Sequence, residues 1–117
     1  MRVYEVGMAG TKWRPEIPSM ERLNAVLEEV KAIGFETERA LTLMCKLMKM
    51  QLFNDGNKRT SMLIANHELI KNGRGIISIP QDCKVEFGTK LIEYYENEEK
   101  LEALKQFLYQ KCLSGIE

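Results

Sequence analysis

The residues best suited to chemistry in this 117-residue chain lie together between Gln51 and Thr60, in the run Q-L-F-N-D-G-N-K-R-T. The second half of that run falls at the predicted start of a helix, where four backbone N–H groups lack partners and the macrodipole contributes roughly half a positive charge. Gly56 lets the backbone turn tightly and approach a ligand closely. Asn57 can cap the helix and donate its amide. Lys58 and Arg59 then add two cations to a helix end that is already positive, which destabilises it unless an anion compensates. That mismatch points to phosphate binding. Asp55, two residues before Asn57, suits a divalent ion held against the same phosphates, because Mg²⁺ sites often use one carboxylate plus phosphate oxygens. Phe53, apolar within a polar loop, is expected to anchor the loop in the core. The plainer alternative is an Asx-capped helix after a tight turn, with Lys58 and Arg59 simply solvated.

The elements that must hold this loop can be read from apolar spacing. Residues 2–14 alternate loosely and are rich in Val, Tyr, Thr and Trp, predicting a β-hairpin or extended flap of Arg2–Met8 and Thr11–Arg14 turned at Ala9-Gly10. A lone two-stranded hairpin is marginal in water, so it must lean on the body or a partner. Pro15 and Pro18 end any strand. Ser19 caps a first helix to about Ile33, with Leu23, Val26, Leu27, Val30 and Ile33 inward and Gly34 as terminator. Thr37 caps a second helix to about Met50, with Leu41, Met44, Leu47 and Met48 inward. The third helix runs from near Asn57 to Lys71 and stops at Asn72-Gly73. An extended connection, Gly75–Pro80, precedes two further helices, about Lys84–Glu96 (Leu91, Ile92 and Tyr95 inward) and Glu98–Leu113 (Leu101, Leu104, Phe107 and Leu108 inward). The charged run Glu96 to Lys100 reads as a solvated turn. The expected fold is mainly α, one domain over 1–117: a flap at 1–14 and a bundle of about five helices over 19–113.

Composition narrows the function classes. Lys+Arg and Asp+Glu are 17 each, so formal net charge is zero, without the basic excess of a dedicated nucleic-acid binder. No stretch approaches the roughly 18 apolar residues of a membrane span. The N-terminal MRVYEVGMAG lacks the apolar run of a secretory signal, which predicts a cytoplasmic protein. Cys45, Cys83 and Cys112 form no C-x-x-C or Cys/His cluster and read as three reduced thiols. Met44, Met48 and Met62 fit helical core spacing.

The stretch Phe53-Asn54-Asp55-Gly56-Asn57-Lys58-Arg59-Thr60 resembles the active-site motif of the Fic/Doc superfamily, His-Pro-Phe-x-x-Gly-Asn-Gly/Lys-Arg. Lys58 in place of glycine is the Doc-branch variant. Trp13-Arg14-Pro15, the span from Asn66 to Gly73 and Phe107-Leu108-Tyr109 are also similar to bacterial Fic proteins. The resemblance implies a helical fold that seats a nucleoside triphosphate on the motif helix and transfers AMP, another nucleotide or phosphate to a protein hydroxyl. It implies that Asn54, Asp55, Gly56, Asn57, Lys58 and Arg59 bind nucleotide. Asp55 would help hold Mg²⁺, Gly56 and Asn57 would form the anion nest, and Lys58 and Arg59 would contact phosphates. The flap, through Tyr4, Val6, Met8, Thr11 and Trp13, would hold a protein target by strand addition. An antitoxin-like or homo-oligomeric partner is also within what the resemblance implies.

Three positions depart from the pattern. Gln51 stands at the family's catalytic histidine, Leu52 at its proline and Met62 at the second arginine of the AMP-transferring branch. Glutamine cannot act as a general base, a loss of roughly 10²–10⁴-fold in rate. His67, the one histidine, lies ten residues beyond Asn57 on the same helix, roughly 15 Å away at 1.5 Å per residue, and cannot substitute. A glutamine can still orient a nucleophile, as in small GTPases. No convincing inhibitory Ser/Thr-x-x-x-Glu-Gly/Asn motif begins at Ser19 or Thr89. Three readings stand: a transferase weakened at Gln51, a nucleotide- or protein-binding module without chemistry, and an interaction protein whose loop is only a helix start.

Overall fold

A computed structural model describes residues 1–115 as a mainly helical fold. Five helices, α1 (Met20–Lys31), α2 (Glu36–Met50), α3 (Asn57–Lys71), α4 (Lys84–Glu96) and α5 (Leu101–Phe107), are joined by one antiparallel pair of short strands, β1 (Ile76–Ile77) and β2 (Leu113–Ser114). Helix α2 is the hub. Thr37, Ala40, Leu41, Thr42, Met44, Cys45, Leu47 and Met48 are all buried, so α1, α3 and α5 surround it. Its contact with α3 runs along Asn57, Ser61, Ala65 and Leu69, a four-residue spacing in which Ser61 and Ala65 are small enough to let the two backbones approach. Phe87, Leu91, Tyr94 and Tyr95 of α4 and Leu104, Phe107 and Leu108 around α5 complete the core.

The expected helix boundaries hold closely for the second, third and fourth helices, and Ser19 caps α1 by accepting from the Arg22 N–H. Thr37 does not cap α2. Phe35 occupies that position without a side-chain bond, and Thr37 is buried in the first turn. In α1 only Val30 of the expected stripe is fully buried, because this helix covers α2 from one side and leaves Leu27 exposed. The last helix is shorter than its spacing suggests. Asn97 caps a 3-10 turn over Glu98–Lys100, and beyond Phe107 the coil widens into π-type turns (Leu108–Cys112) before β2.

The N-terminal hairpin is the main correction. The turn at Ala9-Gly10 is present, with Gly10 at φ +83, but residues 2–14 form no paired strands. Their polar groups bond to the body instead. The Arg2 N–H donates to Leu52 O at 2.6 Å, and the Thr11 hydroxyl donates to Glu96. Trp13 stacks on Tyr95 with ring centroids 4.9 Å apart. The strand pairing that does form aligns Ile76 with Ser114 and Ile77 with Leu113. On the side away from β2, Asn66 of α3 accepts the Ile77 N–H at 2.7 Å and donates to the Ile77 carbonyl at 3.1 Å.

Two predictions follow from this core. Asn66→Ala leaves both polar groups of the buried Ile77 backbone unpaired, and is expected to lower the unfolding free energy in urea by about 2–4 kcal/mol. Burial pushes the Cys45 thiol up to about 12, whereas an unfolded chain ionises it near its ordinary value, so the unfolded state loses that proton first. Stability to urea is therefore expected to fall as pH rises from about 9 to about 12, and Cys45→Ala to flatten that fall.

Candidate functional site

Helix α2 ends at Gln51, which is left-handed at φ +48, an uncommon conformation for a residue with a side chain. The strain is tolerated because both ends of the Gln51 amide are engaged. Its Nε2 donates to Met48 O at 2.6 Å and lies 3.5 Å from the Tyr95 hydroxyl, while its Oε1 accepts from Asn57 Nδ2 at 3.1 Å. Asn57 is 8% exposed and closes the loop from inside, accepting the Phe53 N–H at 3.0 Å and donating to Phe53 O at 2.7 Å. Gln51 and Asn57 are thus brought together, but they face each other. The Asn57 side chain is committed to the loop and does not cap α3.

The opposite side of the loop is open. Gly56 precedes α3 at φ +74, no side chain caps the helix start and no acidic residue lies in its first turn. Lys58 and Arg59 are exposed there and form no ion pair among the described residues. Arg59 folds back over Gly56, since a Cβ at position 56 would sit 3.1 Å from its guanidinium. The positive φ is what favours glycine there, since the exposed Arg59 side chain is free to shift by the few tenths of an ångström that a Cβ would need. Asp55 is exposed, and one carboxylate oxygen accepts the Gly56 N–H at 2.8 Å. No group of three His, Cys, Asp or Glu side chains converges among the described residues, so Asp55 suits Mg²⁺ only jointly with phosphate oxygens and water. Asn54 is exposed beside it. Phe53 does not anchor the loop in the core. It is 40% exposed, while Leu52, at 9%, is the buried residue. The peptide groups flanking Phe53 turn inward to Asn57, and its ring lines an apolar groove with Leu23, Leu27 and Ile64.

The flap residues divide. Met8 and Trp13 pack against the core, Val6 is half-buried, Thr11 is tied to Glu96 and Tyr4 is exposed. Trp13 reaches the loop indirectly, through its stack on Tyr95 and the approach of Tyr95 to Gln51. Burial raises the pKa of the Tyr95 hydroxyl, keeping it protonated and unable to serve as a base near neutral pH. His67 is exposed on α3, well along the helix from the loop.

Sequence reading missed Arg2. It is 3% exposed, has no carboxylate partner among the described residues, and its guanidinium donates there to main-chain carbonyls: Gln51 O, Tyr4 O and Glu16 O, each at 2.7 Å, with Met50 O at 3.4 Å. Nothing in the local sequence distinguishes an arginine of this kind from a solvated one. Tyr95 was legible as a core residue of α4, but its place behind Gln51 was not.

No protein-family model matches the chain, and neither the curated proteins nor the solved structures contain a match to it. No helix among the described residues is long and apolar enough to cross a membrane.

Gln51→Ala keeps the left-handed backbone and removes the bonds to Met48 O and Asn57. It is expected to cost about 1–3 kcal/mol in chemical denaturation. Gln51→Gly relieves the backbone strain and should cost less than the alanine variant, by about 1 kcal/mol.

Proposed function

We propose that the loop Asn54–Arg59 binds the phosphates of a nucleoside triphosphate with Mg²⁺ at Asp55, in the manner of a Fic/Doc protein. The observation that carries this is the start of α3, with no capping side chain, no acid in its first turn and two exposed cations without an ion pair among the described residues. Anions are stabilised at such a helix end by the free N–H groups and the dipole together. Asp55 would hold the metal, which when bound would neutralise phosphate charge. Lys58 and Arg59 would contact phosphate oxygens, and Gly56 would keep the backbone close enough to donate.

Family-type transfer of a nucleotide or phosphate to a protein hydroxyl also needs a base, and the side chains around Gln51 supply none. Asn57 does not titrate, and Tyr95 is held protonated by burial. Transfer would then depend on positioning and charge stabilisation alone, slowed by roughly 10²–10⁴-fold. The inward bonding of Gln51 favours a second reading, a nucleotide-binding module with no turnover. Either reading suits a cytoplasmic protein. A protein target would meet exposed side chains of the N-terminal segment, such as Tyr4, in place of a strand edge.

Calorimetry with Mg²⁺ and ATP, GTP, UTP or CTP is expected to show binding to the wild type. Arg59→Ala should weaken it by roughly 10–100-fold, the worth of a charge-assisted bond of about 1.5–3 kcal/mol. Absence of binding by all four nucleotides would overturn the proposal. Label transfer to lysate proteins, measured for wild type, Gln51→His and Arg59→Ala, separates the two readings. Wild type labelling above Arg59→Ala indicates a slow transferase, and labelling only by Gln51→His indicates a binding module.

A further inference from the structure

We infer that Arg2 is a positioning residue for the phosphate loop, and that through it the N-terminal segment and the loop behave as one unit. This rests on the nucleotide-binding reading for its functional half and on geometry alone for its structural half. An arginine that is 3% exposed with no carboxylate partner among the described residues is unusual, because a buried charge is strongly unfavourable unless its donors are satisfied. Arg2 is satisfied by two groups of carbonyls. Tyr4 O and Glu16 O belong to its own segment, while Gln51 O and Met50 O end α2, where the macrodipole is negative and a cation is favoured. Its main-chain N–H adds a bond to Leu52 O at 2.6 Å. One residue therefore fixes three consecutive carbonyls, from Met50 to Leu52, on the limb that leads into the loop. The left-handed turn at Gln51 lies in the middle of that limb, and Asn57, bonded to both Gln51 and Phe53, passes its position on to the start of α3.

A planar fork is required to reach both sets of carbonyls at once. Lysine offers a single point charge on a flexible stem, so it retains the helix-end electrostatics but not the bridge. This separates positioning from mere charge compensation.

The test uses the full chain with Arg2→Lys and Arg2→Met. Amide hydrogen exchange is followed at Phe53, bonded to Asn57, and at Ile77, bonded to Asn66 on the far part of α3. Both variants are expected to exchange about tenfold faster at Phe53 with Ile77 unchanged, the pattern of local opening. In whichever of the four Mg²⁺-nucleotides binds the wild type, affinity should fall about fivefold or more in both variants, roughly 1 kcal/mol or more. Equal acceleration at Phe53 and Ile77 in Arg2→Lys would reduce Arg2 to a general stabiliser and overturn the inference. So would unchanged exchange at Phe53, or unchanged affinity in a variant whose Phe53 exchange has risen. If the wild type binds no nucleotide, the exchange pattern still decides the positioning role, and only the nucleotide reading falls.

Discussion

The carbonyls at the end of α2 are satisfied by groups of the protein itself, and much of the structure around the loop depends on those bonds. Helix α2 is packed against α1, α3 and α5, and at its half-buried last turn the carbonyls left without helical partners find donors within the protein. Arg2 meets Met50, Gln51 and Leu52, while the Gln51 side chain returns to Met48. The chain then reverses through a left-handed residue and begins α3 only six residues later. The N-terminal segment, the turn and the start of α3 are tied together at one helix terminus.

This arrangement divides the loop into two chemically different sides. Inside, amides and carbonyls are paired among Gln51, Phe53 and Asn57. Outside, the first turn of α3 carries two cations and no compensating acid. The rigid inner side suits preorganisation, since a ligand on the outer side would not have to order the backbone it meets. The same inner side explains why Gln51 differs from an acid–base residue in more than chemical type. Its amide is already occupied by the turn that it stabilises.

The helical pattern was legible because α2 and α4 bury regular apolar stripes, whereas α3, whose buried face is Asn57, Ser61, Ala65 and Leu69, was legible from its ends, where Asn72-Gly73 stops it as its chemistry suggests. Gly56 was legible too, since the tight turn before α3 places it at a positive φ that favours glycine. The N-terminal segment was not. Alternating Val and Tyr predict a strand, but Arg2, Thr11 and Trp13 each find a partner distant in sequence, and local pattern carries no information about such partners. Phe53 and Leu52 exchanged roles for a similar reason. Which of two adjacent apolar residues turns inward depends on the left-handed turn before them, and that turn is fixed by tertiary bonds.

The bond pair between Asn66 and Ile77 bears on how the small sheet meets other molecules. A two-stranded sheet ordinarily offers two open edges, each a template for another chain's backbone. Here one amide side chain takes the N–H and C=O that β1 directs away from β2, and so acts as a single-residue surrogate for a third strand. That edge is closed to backbone pairing, both with a peptide partner and with a misfolded copy. Recognition at this edge is left to side chains, and the hazard of edge-to-edge association is removed there without adding a strand to the fold.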